Sequence, residues 1–137
     1  AEVLPYPMPM SIKPESMPIL AALYPELESA PVFPRPDGKD VRYLMPPKDR
    51  IAGLKAAFSL AGIVFPKYGP DKKTQLRAIE KPEALNRLAK TGSSDRQLTA
   101  EDVRAMITLV DHNPCFALDF SDGPEAVALL EPLNPEH

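Results

Sequence analysis

Cys115-Phe-Ala-Leu-Asp-Phe-Ser-Asp-Gly-Pro-Glu-Ala-Val-Ala-Leu-Leu130 changes its period halfway along. In the first half Phe116, Leu118 and Phe120 alternate with their neighbours, as residues on one side of a strand do. Asp122-Gly-Pro-Glu125 then supplies a helix start. Asp122 can accept the unpaired amides of a first turn, and Pro124 lacks a donor that such a turn leaves unused. Val127, Leu129 and Leu130 populate the helix that follows. A strand feeding directly into a capped helix implies a chain of mixed α and β structure.

Working upstream, Thr99-Ala-Glu-Asp102 has the form of a capping arrangement, with an acid at its third helical position. Val103, Met106, Ile107 and Val110 follow at steps of 3, 1 and 3, the spacing of one buried helix face. Asn113-Pro114 ends that helix. Before it, Pro82 opens another, with Ala84, Leu85 and Leu88 inward and Gly92 as its stop. Leu60 to Phe65 is an apolar run expected as a buried strand closed by Pro66, and Thr74 to Ile79 reads as a strand nearer an edge. Over residues 60–133 the order is strand, strand, helix, helix, strand, helix. The fold class is therefore α/β in the mixed, α+β sense: a mixed sheet with flanking helices.

The first third is different in kind. Eleven of the 18 prolines fall within residues 1–47, and the total is roughly two and a half times the usual ~5%. Each one fixes φ, removes a donor and pushes its predecessor towards extended backbone. Yet Val3, Leu4, Tyr6, Met8, Met10 and Ile12 are too much apolar surface to leave in water. The segment must lie against the rest of this chain, a further part of a longer one, or a partner. A short helix is expected over Met17 to Tyr24, where Ile19, Leu20 and Leu23 share a face and Pro25 ends it. Ala30 to Phe33 and Val41 to Met45 are strand candidates joined by the turn Pro36-Asp37-Gly38, hence a small hairpin. After Pro46-Pro47, residues Lys48 to Ser59 have a helical pattern weakened by Gly53. The chain is read as a single domain or part of one over residues 1–137.

An apolar fraction of 44% and a charged fraction of 26% are those of a folded domain, which argues against disorder. The net charge of −3 gives no support to a nucleic-acid role. Charge is uneven, though. Residues 66–104 carry 9 cations against 6 anions, and residues 105–137 carry 6 anions and no Lys or Arg. The lone Cys115 excludes an internal disulfide, and no stretch approaches the ~18 apolar residues of a membrane span. No membrane association and a cytoplasmic location are expected.

No phosphate-cradling Gly-rich motif occurs among the six scattered glycines. His112 and Cys115 have a spacing that suits two metal ligands, but a zinc site wants about four and no second pair exists. Their structural reading, a helix end and a strand start, is preferred. Asp119, Asp122 and Glu125 cluster near the last strand, the latter two already explained as cap residues. Ser93 and Ser94 have no base nearby. Taken alone, these residues specify no reaction and no metal.

Three stretches resemble a known family. Leu4-Pro5-Tyr6-Pro7-Met8-Pro9-Met10-Ser11-Ile12-Lys13 is similar to the proline-flanked P-x-S-[IL]-K segment of bacterial proteins related to HPr kinase. Ile63-Val64-Phe65-Pro66-Lys67-Tyr68, then Leu76, then Glu83-Ala84-Leu85 and Leu88, resembles the family's strand, F-P-[RK]-Y and helix passage. Phe116 to Leu130 resembles its closing strand and helix. The resemblance covers essentially all 137 residues, but only the carboxyl-terminal portion of the family. It implies the C-terminal half of an HPr kinase/PEP carboxykinase-like P-loop fold, and a phosphotransferase that moves phosphate from a nucleotide onto a protein serine or another hydroxyl.

The family's P-loop and its acidic, magnesium-binding segment would lie before Ala1. ATP and Mg are thus implied for the full-length family, with neither bound by this chain alone. The implied partners are the P-loop half or a homo-oligomer, with a protein as possible substrate. Lys13 and Lys67 are the implied partners of a phosphate or an acidic acceptor, and Ser11 either faces that acceptor or caps the short helix, capping being favoured. Met8 stands where relatives have an arginine, and Lys67 replaces the arginine of F-P-R-Y. A lysine neutralises phosphate as a point charge but loses the bidentate fork. The alternative is a non-catalytic interaction module whose segment Leu4 to Ile12, or Pro31-Val-Phe-Pro34, docks into a partner in extended form.

Overall fold

The computed structural model describes residues 2–3, 8–46, 58–92 and 97–133, which belong to two compact units: residues 4–57, and residues 1–3 with 58–137. In chain order the strands are β1 (Glu2–Val3), β2 (Met10–Ile12), β3 (Phe33–Pro34), β4 (Asp40–Leu44), β5 (Phe58–Ser59), β6 (Ile63–Tyr68), β7 (Gln75–Ala78) and β8 (Cys115–Phe120). The helices are α1 (Met17–Leu23), α2 (Glu26–Ser29), α3 (Lys81–Gly92), α4 (Ala100–His112) and α5 (Gly123–Leu130). The mixed α and β composition expected from the sequence is present.

The smaller unit is an antiparallel sheet in the order β2-β4-β3. The Pro36-Asp37-Gly38 turn closes the β3–β4 hairpin, and Gly38 takes the left-handed φ of 76° that favours glycine. The expected strand Ala30–Phe33 shortens to Phe33–Pro34, because Pro31 precedes it and offers no amide. Arg35 N donates to Lys39 O, so the hydrogen-bonded phase of β3 is odd-numbered. Pro34 therefore has its nitrogen on the open side of the strand. Ile12, Leu27 and Leu44 form the core, with Met17 and Leu20 packed against it. Pro25 does end α1, but it also leads into the one-turn α2, which the sequence pattern did not reveal. Arg42 donates from Nη1 to Glu28 O, which the one-turn helix leaves without a backbone partner, and to Leu27 O, which also accepts from Ala30 N.

In the larger unit β8 is the central strand of a mixed sheet, parallel to β6 and antiparallel to β7. The edge position expected for the Thr74–Ile79 stretch is realised by β7. A separate two-residue ladder joins β1 and β5. Two expectations change here. The apolar run does not end at Pro66, since β6 continues to Tyr68 and is half-buried at Ile63, Val64 and Phe65. Ile63 N and Gly69 N donate to Pro114 O and Phe120 O, so odd-numbered amides face β8 and Pro66 falls on the outward phase. The helix expected over Lys48–Ser59 lies outside the described residues up to 57, and Phe58–Ser59 is strand.

Ala84 on α3, Val110 on α4 and Cys115 on β8 form the second core, with Ile63, Phe65, Ile79 and Leu88 around it. The capping box at Thr99 is complete: its Oγ1 accepts from Asp102 N, and Asp102 Oδ2 accepts from Thr99 N at 2.8 Å. The single buried face expected for α4 is only partly realised. Val110 is 2% exposed, but Ile107 is 40% and Val103 38% exposed. The helix meets its neighbours mainly at its carboxyl end, where Lys81 Nζ donates to Asp111 O. In α5, Asp122 caps as expected by accepting from Glu125 N at 2.9 Å. Its buried residue is Ala126, whereas Val127 is exposed. No helix among the described residues is long and apolar enough to cross a membrane.

Candidate functional site

Strand register arranges one face of the larger sheet into three rows, because residues opposite each other project to the same side. The first row is Ile63 and Cys115, with Ile79 N donating to Cys115 O beside them. It is covered by Ala84, Leu88 and Val110. Burial there pushes the Cys115 thiol above its ordinary pKa, which keeps it protonated and unreactive. The second row is Phe65, Ala117 and Arg77. The third is Lys67, Asp119 and Gln75, and both Lys67 and Asp119 lie at the carboxyl ends of parallel strands.

The face thus grades from apolar to charged along β8. Lys72 Nζ donates to Asp119 Oδ1, spanning 47 positions of sequence. That hydrogen bond holds the Asp119 carboxyl below its ordinary pKa against a smaller opposing effect of burial, with Lys67 adding a further lowering through its charge. In the second row Glu83, in the first turn of α3, accepts from Arg77 and Arg87, and both lower its pKa, Arg77 foremost. These rows and their partners bring four cations, Lys67, Lys72, Arg77 and Arg87, against two carboxylates, Asp119 and Glu83. Among the described residues this is a surface of positive excess at the carboxyl end of a parallel strand pair, where open α/β sheets commonly receive ligands.

Of the residues singled out by sequence, Lys67 belongs to this surface. Ser11 and Lys13 belong to the other unit. Ser11 lies exposed in β2 opposite Tyr43, so the favoured reading of it as a helix cap is overturned. The 3-10 turn Pro14–Ser16 has Lys13 at its N-cap with no side-chain cap bond. Strand alternation turns Ile12 inward to line a cleft of about 360 Å³ with Pro14, Met17, Val32 and Val41, while Ser11 and Lys13 stay outside it. Lys72, Arg77, Arg87 and Glu83 were missed. Their available signal was the cationic excess of residues 66–104, which does not say which charges share a face.

Among the described residues the donors do not assemble a magnesium site. No group of three His, Cys, Asp or Glu able to hold a metal occurs among the described residues, and the carboxylate in the third row is already engaged by Lys72. His112 Nδ1 is within 2.8 Å of Thr108 O at the end of α4, and Cys115 Sγ is directed to Asn113 O at the start of β8. Asp122 serves α5 as its cap. Comparison with known proteins gives no relative: no family model, no curated protein and no solved structure matches this chain.

Proposed function

We propose that these residues form the carboxyl-terminal part of an HPr-kinase-like phosphotransferase, the part that holds the phosphate or the acidic acceptor. The nucleotide would be gripped by a P-loop on polypeptide outside the 137 residues. The observation that supports this is the third row of the sheet, where Lys67 stands at the carboxyl end of β6 with Lys72 anchored next to it on Asp119. Lys67 acts as a point charge on the anion, and the Lys72–Asp119 pair fixes the following loop. Lys13 and Ser11 enter the proposal through the family resemblance alone.

Calorimetry of the chain with magnesium ATP should show binding weaker than about 1 mM, or none. In the full-length polypeptide, Lys67→Ala should lower phosphoryl transfer about 10- to 100-fold, the loss of one charge-assisted hydrogen bond. Tight ATP binding by these residues alone would overturn the proposal, as would undiminished transfer by the variant.

One observation favours the alternative, a non-catalytic interaction module. Val32, just before the edge strand β3, and Phe33 within it are 49% and 46% exposed, and the Phe33 ring meets Tyr43 at 5.3 Å between centroids. On that reading a partner shields residues 31–34 from hydrogen exchange and proteolysis. A cell extract that yields active kinase but no such partner would remove it.

A further inference from the structure

Glu83 Oε1 is the meeting point of two guanidinium groups from different elements. It accepts from Arg87 Nη2 at 2.7 Å, Arg87 Nε at 3.1 Å and Arg77 Nη2 at 3.3 Å. The Arg87–Glu83 contact is an ordinary i,i+4 helix pair and explains itself. Arg77 is not explained in that way. It comes from β7, its side chain is 56% exposed, and it reaches the carboxylate through one hydrogen bond of 3.3 Å. A guanidinium offers five donors in a planar fork, and Arg77 commits one of them here. Arg87 is steadied from below by the Phe65 ring, 5.9 Å from its guanidinium carbon. Two like charges, one from β7 and one from α3, are therefore held side by side at the part-exposed margin of the second row, with a single carboxylate oxygen between them.

We propose that Arg77 and Arg87 form a two-guanidinium clamp for a phosphate-type oxyanion, in which Glu83 is the resident competitor. The inference rests on reading this sheet face as an anion-binding surface, but it uses residues other than Lys67. The Glu83 carboxylate keeps the clamp assembled when empty and must yield when a dianion arrives. It thereby sets the affinity. Forked donors suit phosphate oxygens bidentately, which a lysine pair does not. The anion is either free phosphate or a phosphate monoester.

The test is calorimetric titration of the whole chain with inorganic phosphate, and separately with glycerol 3-phosphate, at fixed ionic strength. Glu83→Gln retains shape and an acceptor oxygen but removes the competing charge. It should tighten phosphate binding about tenfold. Arg77→Gln added to that variant should return the affinity to the starting value or below. Tighter binding of the monoester supports the clamp with an esterified phosphate as its ligand, and equal binding supports it with free phosphate. Unchanged or weaker binding by Glu83→Gln, in a chain whose melting is unaltered, would overturn the clamp. So would indifference to Arg77→Gln. Lys67→Ala should leave the Glu83→Gln gain intact, so a gain that disappears with Lys67 refutes the clamp while sparing the third-row reading. ATP binding by the chain would do the reverse.

Discussion

Leu27→Ala should destabilise the smaller unit by about 2–5 kcal/mol, the usual cost of emptying a fully enclosed leucine site. Leu27 has no solvent exposure and, among the described residues, packs in a small cluster with Ile12 and Leu44, with Met17 and Leu20 at its margin. So small a core has little capacity to collapse into the void. The backbone beside it is also fixed, since Arg42 holds the Leu27 and Glu28 carbonyls. Against a typical domain stability of about 5–15 kcal/mol, this loss is large. Hydrogen exchange of amides in residues 8–46 is the measurement, with the sheet amides of β2, β3 and β4 as reporters. A loss under about 1 kcal/mol would mean that the core tolerates the cavity and that its packing has been misjudged.

Val110→Asp should cost about 4 kcal/mol or more, whereas Ile107→Asp, one turn earlier on α4, should cost about 1 kcal/mol or less. Val110 contacts Ala84 and Cys115 in a sealed cluster, so a carboxylate there has neither water nor a partner. It would also sit in the last turn of the helix, where the dipole disfavours negative charge. Ile107 is exposed enough for a carboxylate to remain hydrated. Urea midpoints of the two variants decide the matter. Equal losses would show that α4 buries its whole apolar stripe in solution, as its spacing suggests.

That contrast also marks how far residues alone can carry the reading. Local features were legible because their causes are local. The Pro36-Asp37-Gly38 turn, the Thr99 capping box and the Asp122 cap each depend on atoms a few positions apart, and each is present. The strand Cys115–Phe120 was legible from its alternation. Burial of α4 was not, because periodicity shows which residues share a face but not how far a neighbour extends along it. Pro66 misled for a related reason. A proline stops a strand only where its amide is needed, and that depends on which side has a partner. The charged rows were hidden because they are made by register. Lys72 and Asp119 are remote in sequence, Arg77 and Glu83 come from consecutive elements, and only the pairing of β6, β7 and β8 gathers them. Lys67 could be named in advance, but its neighbours could not.

The outward phase of Pro34 and Pro66 has a further consequence. Among the described residues β3 and β6 are each the last strand of their sheets, and at Pro34 and Pro66 the polypeptide lacks the donor that an incoming strand would need there. Pro9 and Pro14 stand close to both ends of β2, the opposite margin of the smaller sheet. An unpaired strand margin is otherwise a template for pairing with another chain. Prolines at these positions oppose intermolecular ladder growth from those margins.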